Sequence, residues 1–126
     1  MAGERVLVVE DNEKNMKLFR DILQATGYSP LEASSCEQAL ALAAEHAPAL
    51  VLMDIQLPDL DGSEALRRLR SDERTAGIPV LALTAQAMQG DRERFLAAGF
   101  DGYLSKPVDV DELMATVRRF CDGGTE

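Results

Sequence analysis

The fold of this chain is constrained most by an alternation, repeated five times, between a short apolar run and a longer segment of mixed polarity. The runs lie at 5–9, 29–33, 50–53, 80–83 and 103–104. Short, nearly continuous apolar runs are typical of parallel strands that are buried on both faces. The run at 29–33 is less apolar than the others, so it predicts a weaker strand.

The segments between the runs have the residue spacing of amphipathic helices. Segment 13–26 places apolar side chains three or four residues apart, and Gly27 then supplies a stop. The pattern Ser34-x-x-Glu37 is a capping box, so it predicts that a second helix opens on Ser34. A later helix is expected to end near Gly99, and the last helix is expected to begin at Asp109.

Five strand–helix units predict an α/β domain, with a doubly wound, five-stranded parallel sheet and helices on both faces. Right-handed crossovers in a sheet of this kind give the strand order 2-1-3-4-5. At 126 residues and 13.7 kDa the chain can form one hydrophobic core but not two. We therefore expect residues 1–126 to form a single domain with its core at about 4–121.

Composition excludes several functional classes. The net charge of −9 argues against direct binding to nucleic acid and favours a protein partner. Two distant cysteines (Cys36 and Cys121) and one histidine argue against a zinc site, so we expect both cysteines to be packing residues. The chain has neither a secretory signal nor an apolar run of bilayer length, so we expect a cytoplasmic protein with no membrane association.

Polar side chains follow four of the five predicted strands, where open α/β sheets bind their ligands. These residues are Glu10 and Asp11 after the first strand, Asp54 after the third, Thr84 after the fourth and Lys106 after the fifth. Three carboxylates, one hydroxyl and one ammonium are therefore expected to meet at one edge of the sheet.

Taken singly, most of these residues have a plainer explanation. Asp11 can simply favour the start of a helix. Thr84 can be a strand-end hydroxyl, and Lys106 a solvated lysine in a turn. Asp54 is harder to dismiss, because a carboxylate directly after four apolar strand residues is costly unless it is paired, bound to metal or exposed at the strand tip. The functional interpretation depends on all these positions falling on one edge.

The chemistry of this set matches phosphoryl transfer to a carboxylate. Crowded carboxylates repel one another unless a cation lies between them, and oxygen ligands favour Mg²⁺, with Mn²⁺ or Ca²⁺ as substitutes. Asp54 can then act as a nucleophile and form an acyl phosphate. Lys106 can neutralise phosphoryl charge, and Thr84 can donate a hydrogen bond to a phosphoryl oxygen.

Four stretches of the chain resemble the response-regulator receiver family, whose fold is flavodoxin-like. They are VLVVEDN (6–12), LVLMDIQLPDLDG (50–62), VLALTA (80–85) and YLSKPV (103–108). Their order and spacing match over essentially the whole chain. Within the family the chain is similar to the DivK-like single-domain regulators, through VEDNEKNMKLF (9–19), LMDIQLP (52–58) and AMQGDRER (87–94).

The resemblance implies a metal site and a phosphoacceptor. Asp54 matches the phosphoacceptor, and Glu10 and Asp11 match the acidic pair that coordinates Mg²⁺. Asp11 and Asp54 would bind the metal directly, whereas Glu10 would bind it directly or through water. Many receivers have Asp at the position of Glu10, so its direct contact is left open. The backbone carbonyl of Gln56 matches the third protein ligand.

The resemblance also implies a switch. Thr84 and Lys106 match the hydroxyl and the lysine that respond to the phosphoryl group, and the Lys106–Pro107 bond is expected to be cis. Tyr103 matches an aromatic that turns inward as Thr84 moves; the alternative is a half-buried strand aromatic with no such role. Gln56 and Gln86 occupy positions that tune the dephosphorylation rate.

The implied function is two-component phosphorelay signalling, with a role in cell-cycle or cell-division control. A histidine kinase or a histidine phosphotransfer protein would donate the phosphoryl group. The phosphorylated chain, a monomer or weak dimer, would then bind a downstream protein target, and Met88 is a candidate contact residue or else a core methionine. A stand-alone regulator is favoured over a receiver cut from a larger protein.

Three other functions fit less well. A phosphohydrolase of the haloacid-dehalogenase type needs a second Asp two residues after the nucleophile, where this chain has Gln56. A binding-only receiver would have no reason to keep Asp54, Thr84 and Lys106 together. A nucleotide- or flavin-binding domain would need glycines in the first strand–helix turn, which here reads EDNEKN. We therefore expect a phosphoacceptor signalling protein rather than an enzyme.

Overall fold

The computed structural model describes residues 4–55, 57, 62–84, 91–106 and 108–121, except for the side chains of residues 91 and 92. The predictions made for Gln56, Gln86, Met88 and Pro107 fall outside the described residues.

Strands and helices alternate along the chain, as the sequence predicts. The elements are β1 (Arg5–Val9), α1 (Glu13–Ala25), β2 (Ser29–Ala33), α2 (Cys36–His46), β3 (Leu50–Asp54), α3 (Gly62–Ser71), β4 (Val80–Thr84), α4 (Asp91–Ala98), β5 (Gly102–Ser105) and α5 (Val110–Cys121). No helix among the described residues is long and apolar enough to cross a membrane.

The five strands form one parallel sheet in the order β2-β1-β3-β4-β5, which confirms the predicted fold class and strand order. Strands β3 and β4 are buried along their whole length, and β1 is buried at all but its first residue. This burial explains why these three strands read as continuous apolar runs, because both of their faces are covered by helices.

Two hydrophobic layers cover the faces of the sheet. Helices α1 and α5 pack on one face through Met16, Phe19, Leu23, Leu113, Val117 and Cys121. Helices α2, α3 and α4 pack on the other face through Cys36, Ala39, Ala43, Ala65, Leu66, Leu69 and Phe95. Both cysteines are thus buried packing residues, as predicted, and they lie in different layers.

Capping residues set the helix ends near the site. Asn12 Oδ1 accepts a hydrogen bond from the Asn15 backbone N–H at 3.1 Å and caps the start of α1. Gly27, two residues after α1 ends, has a φ of +93°, which glycine adopts without steric cost. Asp109 caps α5, because its Oδ1 accepts from the Asp111 backbone N–H at 2.8 Å.

The predicted start of α2 was wrong by one residue. Ser35 is the cap, and its Oγ accepts a hydrogen bond from the Gln38 backbone N–H at 3.2 Å. Gln38 Oε1 in turn accepts from the Ser34 backbone N–H at 2.9 Å. Both serines are followed three residues later by Glu or Gln, so the capping pattern fits either start. The helix that begins at Cys36 buries that side chain, and packing therefore decides between the two starts.

Candidate functional site

The predicted site residues meet at the carboxyl edge of the sheet. Asp54 is the last residue of β3 and Thr84 is the last residue of β4. Glu10 directly follows β1, and Lys106 directly follows β5. The Lys106 backbone N–H donates to the Thr84 carbonyl at 2.7 Å, which extends the β4–β5 pairing by one residue and fixes the start of the lysine side chain.

Three carboxylates form a cluster at this edge. Glu10, Asp11 and Asp54 each offer one oxygen, and the three oxygens lie within 4.8 Å of one another. Glu10 is 2% exposed and Asp54 is 6% exposed, whereas Asp11 is exposed. Two buried carboxylates beside a third are unfavourable without positive charge between or beside them.

Lys106 supplies positive charge within the described part of the site. Its Nζ donates to Asp54 Oδ2 at 2.8 Å and lies 2.7 Å from Glu10 Oε1, with the lysine side chain 17% exposed. Burial alone would lower the pKa of the Lys106 ammonium. Its hydrogen bond to Asp54 and the negative charge of Asp54 and Glu10 outweigh burial, and they raise the pKa above the usual lysine value.

One lysine does not satisfy this cluster. Glu10 Oε1 is buried and accepts no well-aligned hydrogen bond from any described residue, although the ammonium lies close to it. The other oxygen, Oε2, accepts from the Asn12 backbone N–H at 3.1 Å. Three carboxylates against one ammonium leave two negative charges, and oxygen is the ligand that hard divalent cations prefer. The residues therefore fit a divalent cation such as Mg²⁺, with Asp11 on the solvent side.

Two further predicted residues lie on strands β4 and β5. Thr84 is buried at the end of β4. Tyr103 is half-buried in β5 and packs on Phe95 of α4, with their ring centroids 5.7 Å apart. The half-buried position of Tyr103 does not test whether its ring turns inward, so its switching role stays a prediction. The metal-ligand role of Gln56 and the cis bond before Pro107 lie outside the described residues.

Sequence reasoning missed the contact between Lys106 and Glu10. In the observed strand order, β5 lies three strands away from β1, so strand ends alone do not bring these residues together. The long lysine side chain spans the gap. A signal was nevertheless present, since Glu10 directly follows a buried strand, and a buried carboxylate usually has a cationic partner.

The chain matches a known family over most of its length. A family model described as the response regulator receiver domain matches residues 6–118. The polar-differentiation response regulator DivK of Brucella ovis is 49% identical over 115 residues, covering 91% of this chain and 94% of that protein. The protein of the same name from Brucella anthropi is 47% identical over the same shares.

Solved structures give the same result. One is the receiver domain of a sensor histidine kinase from Pseudomonas aeruginosa, described with a magnesium ion coordinated in its active-site cleft. It has a TM-score of 0.87 and 38% identity, and the match covers 97% of this chain and all of that one. Another is the receiver domain of Ssk1 from Saccharomyces cerevisiae, crystallised with the histidine phosphotransfer protein Ypd1, with a TM-score of 0.88, 29% identity and coverage of 99% and 93%. With the fold and the family model in agreement, this chain belongs to the response regulator receiver family.

Proposed function

We propose that this chain works as a single-domain response regulator that accepts a phosphoryl group from a phosphohistidine donor onto Asp54. The observation that carries the proposal is the buried Asp54 carboxylate, which is held between the Lys106 ammonium and two further carboxylates. A nucleophile, a fixed positive charge and a set of oxygen ligands for a metal are thus brought together at one strand end.

The metal ligands follow from the same cluster. Asp11 and Asp54 would bind Mg²⁺ directly, and Glu10 would bind it directly or through water, because Lys106 already contacts one of its oxygens. The backbone carbonyl of Gln56 would be a further ligand, and Mn²⁺ or Ca²⁺ could substitute. When bound, the cation neutralises negative charge that the carboxylates and the phosphoryl oxygens would otherwise place side by side.

The reaction is a displacement at phosphorus. An Asp54 carboxylate oxygen attacks the phosphorus of the donor phosphohistidine, and the P–N bond breaks as the new O–P bond forms. The electron pair of the broken bond stays on the donor imidazole, which takes up a proton. Lys106 remains beside the phosphoryl oxygens and offsets their charge, and the Thr84 hydroxyl donates a hydrogen bond to one of them.

Phosphorylation would act as a population switch. The new charge on Asp54 would draw Thr84 toward the phosphoryl group, and Tyr103 would turn inward as Thr84 moves. A downstream protein would bind the shifted form. The proposed donor is a histidine kinase or a histidine phosphotransfer protein, as the Ssk1–Ypd1 complex suggests by analogy. The proposal includes a role in the cell cycle or in cell division, which similarity to the polar-differentiation regulator DivK supports, and residues 1–126 would act as one domain.

Phosphotransfer from a phosphorylated histidine phosphotransfer protein tests this proposal. The donor carries a labelled phosphoryl group. With Mg²⁺ present, the wild type should accept this labelled group, and Asp54→Asn should accept none. Asp101→Asn is the matched control, because Asp101 is a paired carboxylate at the opposite edge of the sheet. It should accept the label like the wild type. Equal labelling of Asp54→Asn and the wild type would overturn the assignment of the phosphoacceptor.

In this proposal the chain acts as a signalling protein and does not catalyse repeated turnover of a substrate. Each molecule should gain one phosphoryl group and lose it slowly, without sustained hydrolysis of small phosphomonoesters. Continuous release of phosphate from p-nitrophenyl phosphate, abolished by Asp54→Asn, would instead favour a phosphohydrolase.

A further inference from the structure

Gly62 begins α3 and touches the residue that follows Asp54. It is buried, and its backbone N–H donates to the Ile55 carbonyl at 3.2 Å. Ile55 is also held by the sheet, because its backbone N–H donates to the Leu83 carbonyl of β4 at 3.1 Å. The backbone just after Asp54 is thus held from two directions, by the sheet and by the start of α3.

Space is the reason that a glycine stands at position 62. Among the described residues, positive φ values are found at Gly27, Gly99 and Ala47, so Gly62 is not needed for its backbone freedom. A Cβ at position 62 would lie 2.8 Å from Ile55 Cα, 3.0 Å from its Cγ2 and 3.1 Å from its Cβ. The nearest of these atoms is backbone, so a side chain rotation cannot relieve the contact.

We propose that Gly62 is a positioning residue for Asp54. Its missing side chain lets the first turn of α3 rest directly on Ile55, and this contact sets the backbone from which the Asp54 carboxylate reaches Lys106 at 2.8 Å. Any side chain at position 62 pushes α3 and the backbone at 54–55 apart. This inference rests on the proposed function, because it assigns Gly62 a part in the geometry of the metal and phosphoacceptor site.

Substitution of single glycines tests the inference. Gly62→Ala should weaken Mg²⁺ binding, measured by calorimetric titration of the folded protein, by about tenfold, since supporting contacts of metal ligands are commonly worth 10-fold to 100-fold in affinity. Its rate of phosphorylation by acetyl phosphate at saturating Mg²⁺ should fall as well. Urea unfolding of the same samples establishes that the folded state is populated.

Two matched controls separate positioning from general destabilisation. A Cβ at Gly77 would meet nothing within 4 Å. Gly77→Ala should therefore leave the free energy of unfolding unchanged and the Mg²⁺ affinity within twofold of the wild type. A Cβ at Gly102 would lie 3.0 Å from Leu81 Cδ2, at the opposite end of the β4–β5 pair from Thr84. Gly102→Ala should therefore lower stability and leave Mg²⁺ affinity unchanged.

Ile55→Ala provides a second variant from the other side of the contact. It removes the side chain against which Gly62 rests while leaving Asp54 in place, so it should weaken Mg²⁺ binding by a smaller factor than Gly62→Ala. This variant decides the matter if Gly62→Ala does not fold.

The outcomes distinguish the two proposals. A wild type that binds no Mg²⁺ overturns the metal site, and the role of Gly62 falls with it. A wild type that binds Mg²⁺ while folded Gly62→Ala and Ile55→Ala bind it within twofold of the wild type overturns the role of Gly62 alone. Weakened binding by Gly62→Ala, with normal binding by Gly102→Ala, supports it.

Discussion

The two ends of the sheet both hold charged side chains, but they use them in opposite ways. At the carboxyl end, Glu10, Asp11 and Asp54 lie together, and the Lys106 ammonium contacts two of these three carboxylates. At the amino end, one guanidinium, that of Arg70, faces one carboxylate, that of Asp101. The first group has an excess of negative charge, whereas the second is balanced.

The amino-end pair is closed by hydrogen bonds to the backbone. Arg70 donates to the Ile78 carbonyl at 2.7 Å, to the Ala76 carbonyl at 3.2 Å and to Asp101 Oδ2 at 2.9 Å. The same Asp101 oxygen accepts from the Val80 backbone N–H at 2.8 Å. This arrangement, which we call the Arg70 clasp, joins α3, the α3–β4 turn and the starts of β4 and β5.

The charge balance separates a structural ion pair from a candidate binding site. In the Arg70 clasp the charges cancel, and both terminal nitrogens of the Arg70 guanidinium donate to oxygen acceptors. At the carboxyl end two negative charges remain and the buried Glu10 Oε1 accepts no well-aligned hydrogen bond from the described residues. An excess of negative charge of that kind is what a bound cation would neutralise.

The largest effect that separates the two ends is expected from Arg70→Met. Loss of several hydrogen bonds, one of them to a charged partner, should lower the free energy of unfolding by about 2 kcal/mol. The Mg²⁺ affinity should stay within twofold of the wild type, because the clasp lies at the far end of the sheet. Urea denaturation and calorimetric titration measure the two quantities. A large change in Mg²⁺ affinity would mean that the two ends are coupled.

Mg²⁺ should stabilise the folded protein by binding the carboxylates at the carboxyl end of the sheet. At a concentration of ten times its Kd, a ligand that binds only the folded state adds about 1.4 kcal/mol to the free energy of unfolding. Urea denaturation with and without Mg²⁺ measures this gain, and Arg70→Met should show the same gain as the wild type. If Ca²⁺-free and Mg²⁺-free samples were as stable as Mg²⁺-saturated ones, the cluster would not be a metal site.

In metal-free protein, the free energy of unfolding of Asp54→Asn should equal that of the wild type or exceed it by up to about 1 kcal/mol. The substitution removes one of three neighbouring negative charges and keeps an oxygen that can accept from Lys106. The matched change at the clasp, Asp101→Asn, should destabilise, because it leaves Arg70 without its charged partner. Thermal melts in EDTA compare the two variants. A strong loss of stability in Asp54→Asn would show that Asp54 is structural, like Asp101.

The smallest effect is a pH dependence that belongs to Lys106. Because its pKa is raised in the folded state, its contribution to stability is fully present below the unfolded lysine pKa, and it is lost as pH rises through the higher folded value. In metal-free protein, the stability advantage of the wild type over Lys106→Met should therefore shrink above about pH 10.4, the usual lysine pKa. Urea denaturation from pH 8 to pH 11.5 measures it. A stability advantage that grows over this pH range would mean that folding lowers the pKa of Lys106 and does not raise it.

The fold was predictable because each local signal agreed with the global arrangement. Buried parallel strands such as β3 and β4 read as continuous apolar runs, and the connections between parallel strands have few alternatives. The meeting of Glu10, Asp54 and Lys106 at one edge was predictable too, since residues at the carboxyl ends of parallel strands must share that edge. The start of α2 was not predictable, because Ser34 and Ser35 both fit the capping pattern and packing of Cys36 decided between them.

Contacts that depend on side-chain reach could not be read from the sequence. Arg70 looks like one of several solvated arginines of α3, yet it pairs with Asp101, which lies 31 residues later. Lys106 reaches Glu10 across the width of two intervening strands. The glycine that rests on Ile55 is equally hidden, because its importance lies in the distance to a backbone atom and not in any pattern.

The phosphoacceptor role of Asp54 is tested most directly by the intact mass of the protein after incubation with acetyl phosphate and Mg²⁺. We predict that the wild type and Asp101→Asn each gain one phosphoryl group, which hydroxylamine removes, and that Asp54→Asn gains none. Omission of Mg²⁺ should abolish the gain. A phosphoryl group on Asp54→Asn, or none on a folded, Mg²⁺-bound wild type with either acetyl phosphate or a phosphohistidine donor, would contradict the claim that the carboxyl end is a phosphoacceptor site.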